Sequence, residues 1–315
     1  MSDERCKNPL VGWHIACAAA HFLSAVLLLF VVSDAPQGYP QNIGAVEYNY
    51  TCSTDNCTAL KLTSKVGNGF SGTARQGVIA NEFLTALSHA AGVLVALYAD
   101  NPMTESWRRW LEYAVTAGVL ECAILVSYGV RDAFTLLLVF ALNAALQLTG
   151  GLGLDQAAKQ GDEFYNAQKP LLLTQSFLFV GVQIAFTLTT AFTNDTEGVR
   201  EDLAWSSVLY SLFYLSFGVV QTLKHTLGED FEKQYRPQIL FCVLSLTSKL
   251  CLSWHAVSIA KRTQALLAGV DSEEADALFW VTVVLYSVSG LGIVVYILNR
   301  YSKTKQVYDD VSAGD

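Results

Sequence analysis

Long apolar runs broken by short polar stretches dominate this chain. Eight runs stand out, at roughly 10–33, 78–100, 106–130, 132–154, 170–193, 203–224, 237–260 and 277–299. Each is close to or above the roughly 20 residues an α-helix needs to cross a bilayer. The pattern predicts an all-α membrane protein. The third and fourth runs meet at Gly129-Val130-Arg131-Asp132, which reads as a tight turn. Between the first and second runs lies a long polar loop, 34–77. Within it Val46-Glu-Tyr-Asn-Tyr-Thr alternates, and so does Ala59-Leu-Lys-Leu-Thr, the period of a short β-hairpin. A polar loop carrying Asp271, Glu273 and Glu274 separates the seventh and eighth runs, and a tail of 301–315 follows. No internal repeat is visible, and an inverted repeat is the usual mark of a secondary transporter.

Composition agrees with the pattern. Of 315 residues, 52% are hydrophobic and 15% charged, against about 25% charged in soluble domains. A net charge of −8 without a basic stripe gives nucleic acid no surface to bind. The first run is longer than a signal peptide's apolar core and reads as a retained span. Hydrolase, protease and nucleotide-driven chemistry have no support. There is no Walker A loop, no HExxH, no GxSxG and no cysteine cluster at metal-ligand spacing. The reading is not an enzyme, with no metal site.

Charge sets the expected orientation. With a cytoplasmic N-terminus, 12 Lys and Arg fall on inner segments, 7 fall on outer loops, and Lys249 lies in the membrane. The positive-inside rule then places both termini in the cytoplasm and loop 34–77 outside or in a lumen. That loop carries Cys52 and Cys57, spaced for a small-loop disulfide, and sequons at Asn49 and Asn56; a third sequon, Asn194, also falls outside.

The chemistry lies in the few polar residues inside the runs. Lys249 sits near the middle of the seventh, where a cation costs about 2.5–3.5 kcal/mol on insertion scales. Such a lysine is useful as a Schiff base to a carbonyl ligand. A buried cation calls for an anion, and Glu112, about two turns into the third run, is the candidate. The alternative is a Glu112 that answers Arg108 or Arg109 at the membrane edge. Lys249 is taken as the one intramembrane cation. His21 and His89 fall mid-way along the first two runs, where imidazoles serve as proton acceptors or ordinary core residues. His14 and His255 read as interfacial, and His225 suits the dipole at a helix end. Ser245 lies one turn before Lys249 on the same face. Trp254, five residues after it, reads as a pocket wall or part of an aromatic belt. Tyr210, Phe213, Tyr214 and Phe217 recur at helical spacing, as a ligand-lining or packing stripe. Glu121 falls on the face opposite Glu112.

Together these residues resemble the heliorhodopsins, retinal-binding membrane proteins of inverted topology. Leu244-Ser-Leu-Thr-Ser-Lys-Leu-Cys-Leu-Ser-Trp is similar to the family's retinal-lysine segment, and Arg109-Trp-Leu-Glu-Tyr to its counterion segment. His21 and His89 match its two intramembrane histidines, and Gln221 a family glutamine. The resemblance covers about 8–260. It implies a seven-helix rhodopsin-like bundle within 1–260, with all-trans retinal on Lys249 as a protonated Schiff base and Glu112 as counterion. Ser245 would lie beside the Schiff base, Trp254 in the cofactor site, and His21 and His89 in a polar cavity that keeps the proton after light. A homodimer in the lipid bilayer and an unidentified cytoplasmic signalling partner are further implications. The chain departs from the family at Thr116-Ala-Gly118, where a Ser-Ala-Ser run is usual, in having Glu121, and in an eighth span within 261–300, Leu278–Asn299, with small residues suited to close packing.

The expected function is light sensing. A light-gated or light-driven proton or ion conductor is the first alternative. The second is a membrane protein without chromophore, in which Lys249 and Glu112 merely tie helices together.

Overall fold

The structure is a computed structural model. It describes residues 9–31, 46–53, 56–64, 74–98, 102–128, 130, 132–192, 199–226 and 236–268, and the five positions 273, 277, 280, 281 and 284. Helix α1 spans Pro9–Val31, α2 Ala74–Tyr98 and α3 Pro102–Ser127. Helix α4, Ala133–Leu146, runs through a π-helical segment, Gln147–Gly153, into the short α5, Leu154–Ala157. Then come α6, Asp162–Phe192, α7, Val199–Thr226, and α8, Arg236–Ala268. Among the described residues seven helical stretches are long and apolar enough to cross a membrane, α4 to α5 counting as one. The predicted eighth span, Leu278–Asn299, lies almost wholly outside the described residues.

Strands β1, Val46–Ser53, and β2, Asn56–Ser64, form an antiparallel hairpin. They coincide with the two alternating runs of the first loop. The side chains of Cys52 and Cys57 lie outside the described residues.

The bundle is apolar outside and carries polar groups among apolar clusters inside. Phe22, Phe30, Leu87, Leu138, Leu178 and Trp205 are exposed, as lipid-facing residues are, while His14, His21, Glu82, Glu112 and Lys249 are buried. Neighbours in sequence pack side by side, and α8 closes the ring against α1, α2, α3 and α7. Helices α1, α3, α6 and α8 begin at one end of the bundle, called here the N-terminal end. At the far end Leu28, Val78, Ile124, Leu203, Val257 and Ile259 form part of an apolar cluster joining α1, α2, α3, α7 and α8.

Local chemistry sets the helix ends. Asp132 caps α4, its carboxylate accepting from the Thr135 amide at 2.7 Å, which ends the tight turn read from the sequence. At the N-terminal end Lys169 and Tyr165 of α6 donate to the carbonyl of His225, at 2.7 and 3.2 Å, tying α6 to a last-turn carbonyl of α7.

Candidate functional site

Helix α8 carries Lys249 into the bundle axis. Its Nζ donates to Thr116 Oγ1 at 2.7 Å, to Thr85 Oγ1 at 3.0 Å and to Glu112 Oε1 in a very short contact. It also lies 5.0 Å above the Tyr113 ring. Three helices thus surround one amine. All three of its donor directions are used, which is what a buried ammonium requires.

Glu112 is held from its other side too. Its Oε2 accepts from Ser88 Oγ at 3.0 Å and Arg108 Nη1 at 3.3 Å. Arg108 is itself clamped by Glu105 at 2.9 and 2.6 Å. The expectation that Lys249 is the only cation inside is corrected here. Arg108 sits one turn before Glu112, on the same helix face, and belongs to the same network. The membrane-edge alternative for Glu112 is therefore half present, since the carboxylate bridges both cations.

Behind the lysine lies a second polar group. His21 Nδ1 meets Glu82 Oε2 at 2.7 Å, and Ser253 Oγ donates to Glu82 Oε1 at 2.6 Å. The His21 ring stacks on His89, 5.9 Å between centroids and 6° from parallel. His14, read as interfacial, turns inward. It is fully buried, with Nδ1 at 2.9 Å from His89 Nδ1. His255 is also buried, against Ser206.

A third group closes the N-terminal end. Asp155 receives Lys224 at 2.7 Å, Trp110 Nε1 at 2.9 Å, Gln221 Nε2 at 3.1 Å and Arg109 at 3.4 Å, with His225 Nε2 at 3.0 Å. His225 therefore faces a carboxylate inside the bundle as well as standing at a helix end.

Between these groups runs an elongated cavity lined by α3, α6, α7, α8 and the π-helical segment. Tyr210, Phe213, Tyr214 and Phe217 form one wall and also pack into the apolar clusters, so the stripe serves both packing and the cavity. Lys249 lines it, and Gln221 lies at the Asp155 end. The π-helical segment shapes the opposite wall. A Cβ at Gly151 would fall inside the Trp110 ring, so only glycine lets the indole lie there.

The predicted site residues divide. Lys249 and Glu112 meet, His21 and His89 stack beside them, and Gln221 lines the cavity. Ser245 is buried but touches neither: its Oγ is unpartnered. Trp254 does not line the cavity and donates instead to Ser24 of α1 at 3.1 Å. Five residues turn a helix by about 140° relative to Lys249, which carries the indole off the lysine's face. Glu121 is apart, as its helix face requires, and accepts from Gln183 at 2.9 Å. Sequence reasoning missed Glu82, Glu105 and Asp155. Each is a carboxylate inside or at the edge of an apolar run, and that was the available signal.

The model of the heliorhodopsin family matches residues 10–260 of the sequence. Comparison with curated proteins returns no match. The chain belongs to the heliorhodopsin family.

Proposed function

We propose that this heliorhodopsin, a membrane photoreceptor of the retinal-binding kind, holds all-trans retinal on Lys249 as a protonated Schiff base with Glu112 as its counterion. One observation carries the reading: Lys249 both lines the elongated aromatic cavity and contacts a buried carboxylate. Bound there, retinal supplies light absorption and isomerisation.

The protein's part is electrostatic. Glu112 balances the charge on the lysine nitrogen, and Ser88 and Arg108 fix the carboxylate's orientation. Thr85 and Thr116 stand ready to hydrogen-bond the nitrogen's proton. When that proton leaves, the polar groups in reach lie inside the bundle: Glu112, then the His21, His89 and Glu82 group. Ser245, with no partner of its own, is a free hydroxyl on the lysine's face of α8. Trp254 acts at one remove, by fixing α8 to α1. Gln221 closes the cavity at the Asp155 end. The homodimer, the cytoplasmic termini and a cytoplasmic signalling partner belong to the same reading and rest on the resemblance and on charge distribution.

The test is a visible spectrum of protein purified with all-trans retinal. Lys249→Ala should abolish the visible band, and Glu112→Gln should shift it or make it strongly pH-dependent. Folded protein without a visible band would leave Lys249 and Glu112 as a structural ion pair.

A further inference from the structure

Two histidines and a cysteine from three different helices converge near the N-terminal end of the bundle, and one of them, His89, is also the ring that stacks on His21. His14 Nδ1 lies 2.9 Å from His89 Nδ1 and 3.9 Å from Cys242 Sγ, and the three ligand atoms lie within 4.8 Å of one another. All three side chains are buried. From α1, α2 and α8, they are 75 and 228 residues from His14, so no local motif reveals them.

We propose that His14, His89 and Cys242 form a binding site for a thiophilic divalent transition metal ion, zinc in the first instance. Two imidazoles and a thiolate are the donor set zinc prefers. A tetrahedral zinc, with bonds of about 2.0–2.1 Å to nitrogen and about 2.3 Å to sulfur, sets N···N near about 3.3 Å and N···S near about 3.6 Å. The two separations from His14 Nδ1 differ from these by a few tenths of an ångström, and the third pair, His89 and Cys242, lies within 4.8 Å. On binding, the Cys242 thiol gives up its proton and the sulfur takes the metal in its place.

The surroundings fit. Cys17 lies one turn after His14 on the same face of α1, with its Sγ 3.7 Å from the Cys242 carbonyl. Glu105 Oε1 faces the other nitrogen of His14 at 3.5 Å, the carboxylate–histidine arrangement that orients metal-bound imidazoles. Gly92 leaves the room: a Cβ there would lie 2.8 Å from the His14 ring. His14 and Cys242 lie about one and a half turns from the starts of α1 and α8.

The test needs no chromophore chemistry, so its outcome is separate from that of the retinal reading. Full-length protein, with any affinity tag removed, is equilibrated with zinc and desalted, and its metal is counted by mass spectrometry. X-ray absorption then reads the first shell. The expected result is one zinc per chain with nitrogen and sulfur neighbours. Cys242→Ser, and separately His14→Gln, should weaken retention at least tenfold, while Cys122→Ser leaves it unchanged. Thermal melting of each variant, with and without zinc, identifies any that fails to fold, and either remaining substitution then decides. No retained zinc, a shell without sulfur, or retention indifferent to both substitutions would overturn the proposal.

Discussion

At the scale of the residue, buried charge is what the chain spends its sequence on, and its partners predict what substitution does. Glu82 accepts from Ser253 and pairs with His21 in a fully buried setting. Replacing it with leucine strands both partners, at about 1–3 kcal/mol for each buried group left unsatisfied. Glu82→Gln keeps an acceptor oxygen and a similar shape. Glu82→Leu is therefore expected to melt well below the parent and Glu82→Gln close to it, as read by loss of α-helical circular dichroism on heating. Equal melting would mean that the His21–Glu82 contact is energetically idle. Lys249 and Glu112 were legible in the sequence because a charge inside an apolar run stands out against its neighbours. Glu82 was not: it falls early in its run, where an exposed carboxylate is ordinary, and its partner lies 61 residues away. Periodicity placed Ser245 on the lysine's face correctly but said nothing of where the amine would reach. It reaches across to α2 and α3, leaving the serine unpartnered.

At the scale of the element, two short features shape the bundle. The first is the cap on α4. Asp132 accepts from the Thr135 amide and hydroxyl, at 2.7 and 2.5 Å, and these bonds hold its carboxyl below the usual carboxylate range. A folded-state pKa depressed in this way adds stability above the unfolded pKa, and that contribution is lost as pH falls through the folded value. The group is half-buried at a helix end, so the effect is modest. Asp132→Ala should destabilise by about 1 kcal/mol at neutral pH and by less in acid, while Asp132→Asn should retain most of the cap. Denaturation at two pH values checks this, and a loss independent of pH would count against the ionic contribution. The second feature is the π-helical segment, a kind of irregularity that gathers at functional sites. Its carbonyls at Gly150 and Gly151 accept from Gln221, at 3.4 and 3.2 Å. Gly151→Ala should drive Trp110 into the cavity and so lower pigment yield or shift the visible band. An unchanged yield and spectrum would show that this wall does not touch the chromophore. The seven spans and the hairpin were readable from hydrophobic period alone. The π segment was not, because its glycines look the same in an ordinary helix.

At the scale of the whole molecule, polar and apolar regions are unevenly distributed between the two ends. From Lys249 toward the N-terminal end, hydrogen bonds run without a break through Glu112 and Arg108 to Glu105, with His14 facing Glu105 at 3.5 Å. Toward the far end the polar group at Glu82, Asn81 and Ser253 gives way to the apolar cluster around Leu28, Val78, Ile124 and Ile259, beside which lie the buried polar pairs His255–Ser206 and Tyr128–Ser207. A proton leaving the lysine nitrogen thus has a continuous run of hydrogen-bonding partners on one side, and on the other a largely apolar layer with a few buried polar pairs. Unbroken passage across the bundle would require that cluster to open. This asymmetry favours the sensor over the conductor. In voltage-clamped cells expressing the chain with retinal, light is expected to give at most a brief charge displacement, with no steady photocurrent at any holding potential. If protons only shuttle inside the bundle, the transient charge on switching the light on should equal that of opposite sign on switching it off. A sustained current that reverses with the proton gradient would mean that the far-end cluster opens in the light, and the conductor reading would replace the sensor.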